Sequence, residues 1–425
     1  MNVGLREMNR VGLSAEETTS DGISLLVHGI VITLVMLDGA FGSFMGLSYT
    51  SVSVWAPISL IVAYSFFTML NPRKAVTFVP NFRPIIIAMY IFVIWRLIGF
   101  FWSSVMGSTF KECLKTIYLF VFVTSTFYAL TRASRKKLLK MICYVVTISL
   151  IASLISYLYQ LLMSGGFKNY ASKDFKAWIT LFYSGNTAGA VVLMLGLWNW
   201  MLVFSGGRYL KIGLMNSLVA LFLLLGIASQ AALGGFLASI SCVVFYYFYT
   251  IRHRMFLFYI SNVITMALAL FSIYYVVEST TIKGVSTLHG RVGIWIVALD
   301  VLKGGKWLGG IGSGAAFWLT SVTDIGAMNV HNLLIHSLAS GGIIELTVVL
   351  FVFAWLARMA LPEIHGTGIV LLAYVAGAFV RCQAESGGFL FGYLNNSWTF
   401  LSWYVVISII VLMQREPEID DESAG

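Results

Sequence analysis

Residues Ser184 to Phe204 read SGNTAGAVVLMLGLWNWMLVF, twenty-one residues without one charged side chain. As an α-helix, a run of that length covers a hydrocarbon core of about 30 Å. Comparable apolar runs recur at roughly 23–40, 52–70, 84–102, 114–130, 141–163, 212–228, 231–250, 255–276, 340–358, 367–382 and 396–413, about twelve in all. Composition agrees. The 425 residues are 59% hydrophobic and 11% charged, with a mean hydropathy of +0.88, whereas soluble domains carry roughly 25% charged residues. The short segments of alternating polarity that mark a lipid-spanning β-barrel are missing from the sequence. The reading is an all-α polytopic integral membrane protein with one transmembrane domain over 22–413. A polar tail (1–21) precedes it and an acidic tail (414–425) follows. The first run has no basic segment directly ahead of it and no small-residue cleavage site, so it reads as a retained span.

Basic residues sort the connections into two sets. One holds Arg6 and Arg10; Arg73, Lys74 and Arg83; Arg132, Arg135, Lys136, Lys137 and Lys140; Arg208 and Lys211; Arg252 and Arg254; Arg358; and Arg415. Short, densely basic loops mark the cytoplasmic side. Both termini are then cytoplasmic, which requires an even number of spans. The net charge of +9 is thereby used by topology, and nucleic acid is not an expected partner. The four cysteines, Cys113, Cys143, Cys242 and Cys382, are far apart in or beside apolar runs. That spacing indicates neither a zinc knuckle nor a disulfide framework.

The longest interruption between runs is an outward loop over about 279–339. From Ser279 to Glu345 the sequence reads STTIKGVSTLHGRVGIWIVALDVLKGGKWLGGIGSGAAFWLTSVTDIGAMNVHNLLIHSLASGGIIE. Val292, Trp295, Ile296 and Leu299 recur at helical spacing, predicting an amphipathic interfacial segment. The glycine run Gly309 to Gly314 suits tight turns and close backbone approach rather than a helix interior. No lysine follows it as in a phosphate-binding P-loop, and Ser313 does not complete G-x-S-x-G. Arg291 offers a permanently charged planar fork for phosphate or carboxylate; an interfacial arginine snorkelling to headgroups is the alternative. His331, with Asn332 beside it, has the side chain best suited to proton transfer near neutrality; a polar helix cap is the alternative. His336 follows five residues later, which is not the spacing of two metal ligands on one helix face, and no metal site is expected. Arg96 and Arg381 fall at membrane depth, where ionisable groups are costly and face protein or water. Glu385 is placed to pair with Arg381 at i, i+4. Asn186 opens its span, where a helix cap would explain it.

Taken together, G-R-x-x-I-W at Gly290 to Trp295, G-x-G-x-G at Gly310 to Gly314, and H-N followed by G-G-I-I-E over His331 to Glu345 resemble the signature loop of the O-antigen ligase and O-antigen polymerase superfamily. These are bacterial envelope enzymes, and the exopolysaccharide polymerases among them are the most similar in character. The resemblance is specific over about 285–345 and loose elsewhere. It implies a GT-C-like membrane glycosyltransferase of the bacterial inner membrane, its catalytic loop periplasmic, using no metal, no other cofactor and no nucleotide sugar. Donor and acceptor would be oligosaccharide repeat units on undecaprenyl diphosphate, with membrane lipid and a chain-length regulator protein as further partners. By position, Arg291 would bind the donor diphosphate. His331 would act as general base on an acceptor hydroxyl that attacks the anomeric carbon with inversion. Asn332, Gly312, Asn186, Glu385, Gln230 and Arg381 would contribute to substrate binding. Family members often carry an arginine after a serine at the start of the eighth span; here Ser229 is followed by Gln230. Either Arg381 or a lysine of the outer loop (Lys168, Lys173 or Lys176) then supplies the second cation, or the donor is bound differently; Arg381 is the favoured expectation. The alternatives are a ligase passing glycan to a lipid or protein acceptor, and a lipid-linked oligosaccharide flippase.

Overall fold

The computed structural model describes residues 82–103, 106–163, 185–227, 230–252, 295, 297–313, 330, 332–363, 366–383, 390–391 and 398–415, with a few positions before residue 60 (26, 28–30, 32–33 and 59). Among these, every regular element is helical. The nine main helices are α1 (Arg83–Gly99), α2 (Met106–Leu130), α3 (Arg135–Met163), α4 (Gly185–Ser205), α5 (Gly207–Ile227), α6 (Gln230–Arg252), α7 (Leu333–Ala360), α8 (Gly368–Cys382) and α9 (Trp398–Met413). Six of them are long and apolar enough to cross a membrane, and three shorter apolar helices accompany them. The chain is a helical multi-pass membrane protein. The nine correspond to nine of the runs read from sequence; those at 52–70 and 255–276, and most of 23–40, lie outside the described residues.

Burial separates the helices by role. The α4 run Ala188–Ser205 is 83% buried, whereas Gly207–Gly226 of α5 is 28% buried. The first is therefore the hub and the second a peripheral helix. A helix apolar all round belongs inside a bundle, and α4 has α3, α5, α6, α8 and α9 around it. Trp198 on α4 donates to Ser408 Oγ on α9 (2.8 Å), and Trp200 donates to Ser239 Oγ on α6 (3.3 Å). Large apolar side chains remain exposed in long stripes: Ile87, Ile91 and Ile94 on α1, Ile148, Ile151 and Ile155 on α3, and Leu214, Leu218, Phe222 and Leu225 on α5. In water such stripes would drive aggregation; here they are the surface for acyl chains.

Helix α6 packs most extensively against α8. The two cross where Gly235 meets Gly377: a Cβ on Gly235 would lie 2.6 Å from the Gly377 carbonyl oxygen. Without a hydrophobic drive between helices in lipid, small residues that let backbones touch are what hold such pairs. One end of the bundle is basic. There Arg135 Nη1 donates to the carbonyls of Leu412 and Arg415 (3.2 and 2.8 Å), and Arg415 Nη2 donates to that of Thr131 (2.7 Å). These bonds satisfy carbonyls that the helix ends leave unpaired.

Candidate functional site

The opposite end is organised around a break in α7. The helix starts at Leu333, seven residues before the apolar run read at 340, and breaks at Gly342, where φ is 68° and ψ −160°. That conformation is open to glycine and strained for any residue with a Cβ. A break leaves carbonyls without their usual N–H four residues on, and those of Ala339, Ser340 and Gly341 have substitutes. Ile311 N–H donates to the Ala339 carbonyl and Gly312 N–H to that of Ser340, both at 2.9 Å. Trp95 Nε1 donates to the Gly341 carbonyl at 2.7 Å. On the other side of the break, Ile343 N–H donates to the Trp307 carbonyl at 2.8 Å. The glycine loop is thus stitched backbone-to-backbone into the gap.

The loop fits because it is glycine. Gly310 and Gly312 have φ of 66° and 96°; a Cβ on Gly310 would lie 2.6 Å from the Ser340 carbonyl oxygen, and one on Gly312 would lie 2.7 Å from Ser103 Oγ. Close approach is tolerated because the irregular backbone from Gly310 to Ser313 is buried in protein and bonds to α7 at Ile311 and Gly312. Trp102 Nε1 adds a bond to the Gly309 carbonyl (3.2 Å).

Below the stitch lies a buried ion pair. Arg96 Nη2 and Nε donate to Glu345 Oε1 and Oε2 at 2.7 and 3.2 Å, with the side chains 3% and 1% exposed. The fork-on-carboxylate geometry is the strong form of such a pair. Arg96 also reaches Thr116 Oγ1 (3.4 Å) and lies 4.4 Å over the Phe92 ring. Gly341 belongs to this arrangement, since a Cβ there would sit 2.3 Å from Glu345 Oε2. The motif G-G-I-I-E therefore reads physically: Gly341 admits the carboxylate, Gly342 breaks the helix and Glu345 closes on Arg96. Sequence reading placed Arg96 at depth without finding this partner, 249 residues away.

Of the residues expected from sequence to form the site, Arg291, His331 and Glu385 lie outside the described residues. Trp295 donates through Nε1 to the Val330 carbonyl (2.7 Å), and Trp295, Val297, Ala298, Val330, Ile335 and Ala339 form a small apolar cluster beside the stitch. The helical spacing read around Trp295 is matched by helix at 295 and 297–300. Asn332 is the α7 N-cap: its Oδ1 accepts from Leu334 and Ile335 N–H at 3.0 and 3.1 Å. Its Nδ2 donates to the Gln383 carbonyl (2.9 Å), just beyond the end of α8.

Arg381 is on the last turn of α8, 3% exposed. A Cβ on Gly235 would lie 3.4 Å from the Arg381 Cβ, which sets the arginine beside the second turn of α6. Gln230 is the first residue of α6 and Asn186 the second of α4. Helices α4 and α6 run parallel: a Cβ on Gly235 would reach the Leu193 side chain at 3.0 Å, and further along both helices Trp200 meets Ser239. The starts of α4, α6 and α7 and the end of α8 therefore share one end of the bundle, bringing Asn332, Arg381, Gln230, Asn186 and the Gly312 loop to that end. No protein-family model matches the chain, and no curated protein matches it.

Proposed function

We propose that the chain is a membrane glycosyltransferase, a polysaccharide polymerase that joins oligosaccharide repeat units carried on undecaprenyl diphosphate. In this reading about twelve helices span the bacterial inner membrane, the basic end is cytoplasmic and the stitched end faces the periplasm. The observation that carries the proposal is the Asn332 bridge. A residue capping α7 also bonds the end of α8, so Asn332 is held beside the helix end that carries Arg381. A diphosphate is a good leaving group once its charge is held. Cations aimed at it therefore supply more of the transition-state stabilisation than a covalent intermediate would. Arg291 and Arg381 are the proposed holders of that charge, His331 the proposed general base, and Gln230, Asn186, Gly312 and Glu385 are proposed to contact the glycan. A carboxylate pair of the glycosidase kind is not part of this scheme.

The broken α7 favours a second reading. Discontinuous helices and buried ionisable pairs near mid-membrane are also features of transporters, and a lipid-linked oligosaccharide flippase would need both. A third, a ligase, differs from the polymerase only in acceptor.

One complementation experiment separates the three. A deletion strain carries wild type, Arg291→Ala, His331→Ala or Arg381→Ala at matched expression, and surface glycan and lipid-linked intermediates are resolved by gel and mass spectrometry. Single repeat units accumulating on the outward-facing carrier in each variant support the polymerase. Long chains retained on the carrier indicate the ligase, and repeat units trapped at the cytoplasmic face indicate the flippase. Full polymer in all three variants removes the proposed site.

A further inference from the structure

At the basic end of the bundle the cations divide into two groups. Arg135 and Arg415 are spent on helix-end carbonyls, and Arg132 stacks over Tyr128 at 4.2 Å. Lys136 and Lys140 on α3, and Arg208 and Lys211 on α5, are exposed, with Arg208 also donating to Tyr209 Oη at 3.2 Å and lying 5.0 Å over that ring. These four come from two helices that contain no aspartate or glutamate at all.

The two helices run parallel in one register. Asn216 Nδ2 on α5 donates to Thr147 Oγ1 on α3 at 3.0 Å, a separation of 69 residues. Near the other end, a Cβ on Gly226 would lie 2.6 Å from Tyr157 Oη, the same separation. Carried back to the basic end, that register sets Arg208 and Lys211 level with residues 139 and 142, on either side of Lys140. Tyr144, 57% exposed, lies 5.9 Å beneath the Lys140 ammonium, the depth at which aromatic rings meet headgroups. Further into the membrane α3 presents Ile148, Ile151 and Ile155 and α5 presents Leu214 and Leu218, all exposed.

We propose that the α3–α5 seam is a binding site for an anionic phospholipid. Its phosphate is held by Lys136, Lys140, Arg208 and Lys211, and its acyl chains lie along the isoleucine and leucine stripe. A basic pocket between transmembrane helices, with lipid-facing apolar side chains continuing from it, is the arrangement that recognises such headgroups. A soluble phosphate or an acidic peptide would use the cations and leave the stripe unused. The site is far from the stitched end, so it stands whether or not the polymerase reading does.

The test is native mass spectrometry of the purified full-length protein in zwitterionic detergent, supplied with phosphatidylglycerol and phosphatidylcholine in equal amounts. Wild type is expected to retain phosphatidylglycerol preferentially. Lys140→Gln with Lys211→Gln should weaken that retention by about twenty-five-fold, at about fivefold per cation removed. Arg83→Gln with Arg358→Gln removes the same charge from the exposed ends of α1 and α7 at the same end of the bundle, and should leave retention unchanged. Equal loss in both double variants, or loss in neither, overturns the proposal. Wild type is also irradiated with a diazirine-bearing phosphatidylglycerol, which needs no variant to fold. Crosslinks on 136–155 and 207–218 support the site, and crosslinks confined to other segments overturn it.

Discussion

At the scale of single residues, the Arg96–Glu345 pair sets the clearest expectations. Both charges are out of water, so removing one leaves the other uncompensated, at a cost of about 3–5 kcal/mol. Arg96→Leu and Glu345→Leu should each lower the thermal unfolding midpoint in detergent sharply. The double variant should lose much less than the sum of the two, because an apolar pair of similar volume is tolerated where an orphaned charge is not. A strictly additive double variant would show that the two side chains do not depend on each other. Gly342 makes a second case. Gly342→Ala puts a Cβ 2.2 Å from the Leu308 carbonyl oxygen in a backbone conformation that only glycine accepts readily. The strain alone costs about 1–3 kcal/mol, and backbone cannot step aside as a flexible side chain would. Loss of the folded peak in size-exclusion chromatography, or a large drop in midpoint, is the expected result.

At the scale of elements, α7 and its stitched loop behave as one unit tied at its start by Asn332. Asn332→Ala removes a cap worth about 1 kcal/mol and also the bond to Gln383. Asn332→Asp keeps the acceptor for Leu334 and Ile335 while losing the donor. Hydrogen exchange read by mass spectrometry should accelerate at the start of α7 in the alanine variant and stay near wild type there in the aspartate variant. The end of α8 should loosen in both. Equal protection of 333–336 in all three proteins would refute the capping role. This unit was only partly legible in the sequence. The glycine run announced turns and close approach because no other residue serves those needs, whereas the cap was read as an alternative for His331 and falls one residue later, on Asn332. The start of α7 was not. Leu333 to Ala339 is short, interrupted by His336 and Ser337, and continues into glycines, so no apolar window separates it from the loop. The function of Gly341 and Gly342 depends on what enters the gap, and those residues lie some thirty positions earlier.

At the scale of the whole molecule, the sequence carried the architecture well where the membrane itself is the constraint. A hydrocarbon core demands runs of a given length, and the described helices coincide with the runs read from hydropathy to within a few residues at most ends. The central place of α4 was latent in its uniform apolarity. What hydropathy cannot carry is pairing between helices: nothing local in Trp95-Arg96 names Gly341 and Glu345 as partners. The two ends of the bundle make a further prediction. In a background without native cysteines, Lys136→Cys and Lys306→Cys, both at exposed positions, should react with a membrane-impermeant maleimide from opposite sides. In intact cells Lys306→Cys should label and Lys136→Cys should label only after permeabilisation. Labelling of both from one side would refute the assignment of the ends.

The distance between Arg96 and its partner also has a consequence in time. The chain is made from its N-terminus, so α1 is delivered to the bilayer 249 residues before Glu345 exists. At about 5–20 residues per second that interval is on the order of 10 to 50 seconds. Throughout it a guanidinium must be carried in a span without its counter-ion, at about 2.5–3.5 kcal/mol on insertion scales. The isoleucines of α1 that later face lipid are what hold it in the membrane meanwhile. Helix α2, which follows directly and brings Thr116 to the guanidinium, is the first relief. The arrival of α7 then does more than complete the bundle: it discharges a debt that the third hydrophobic run of the nascent chain has carried since its own insertion.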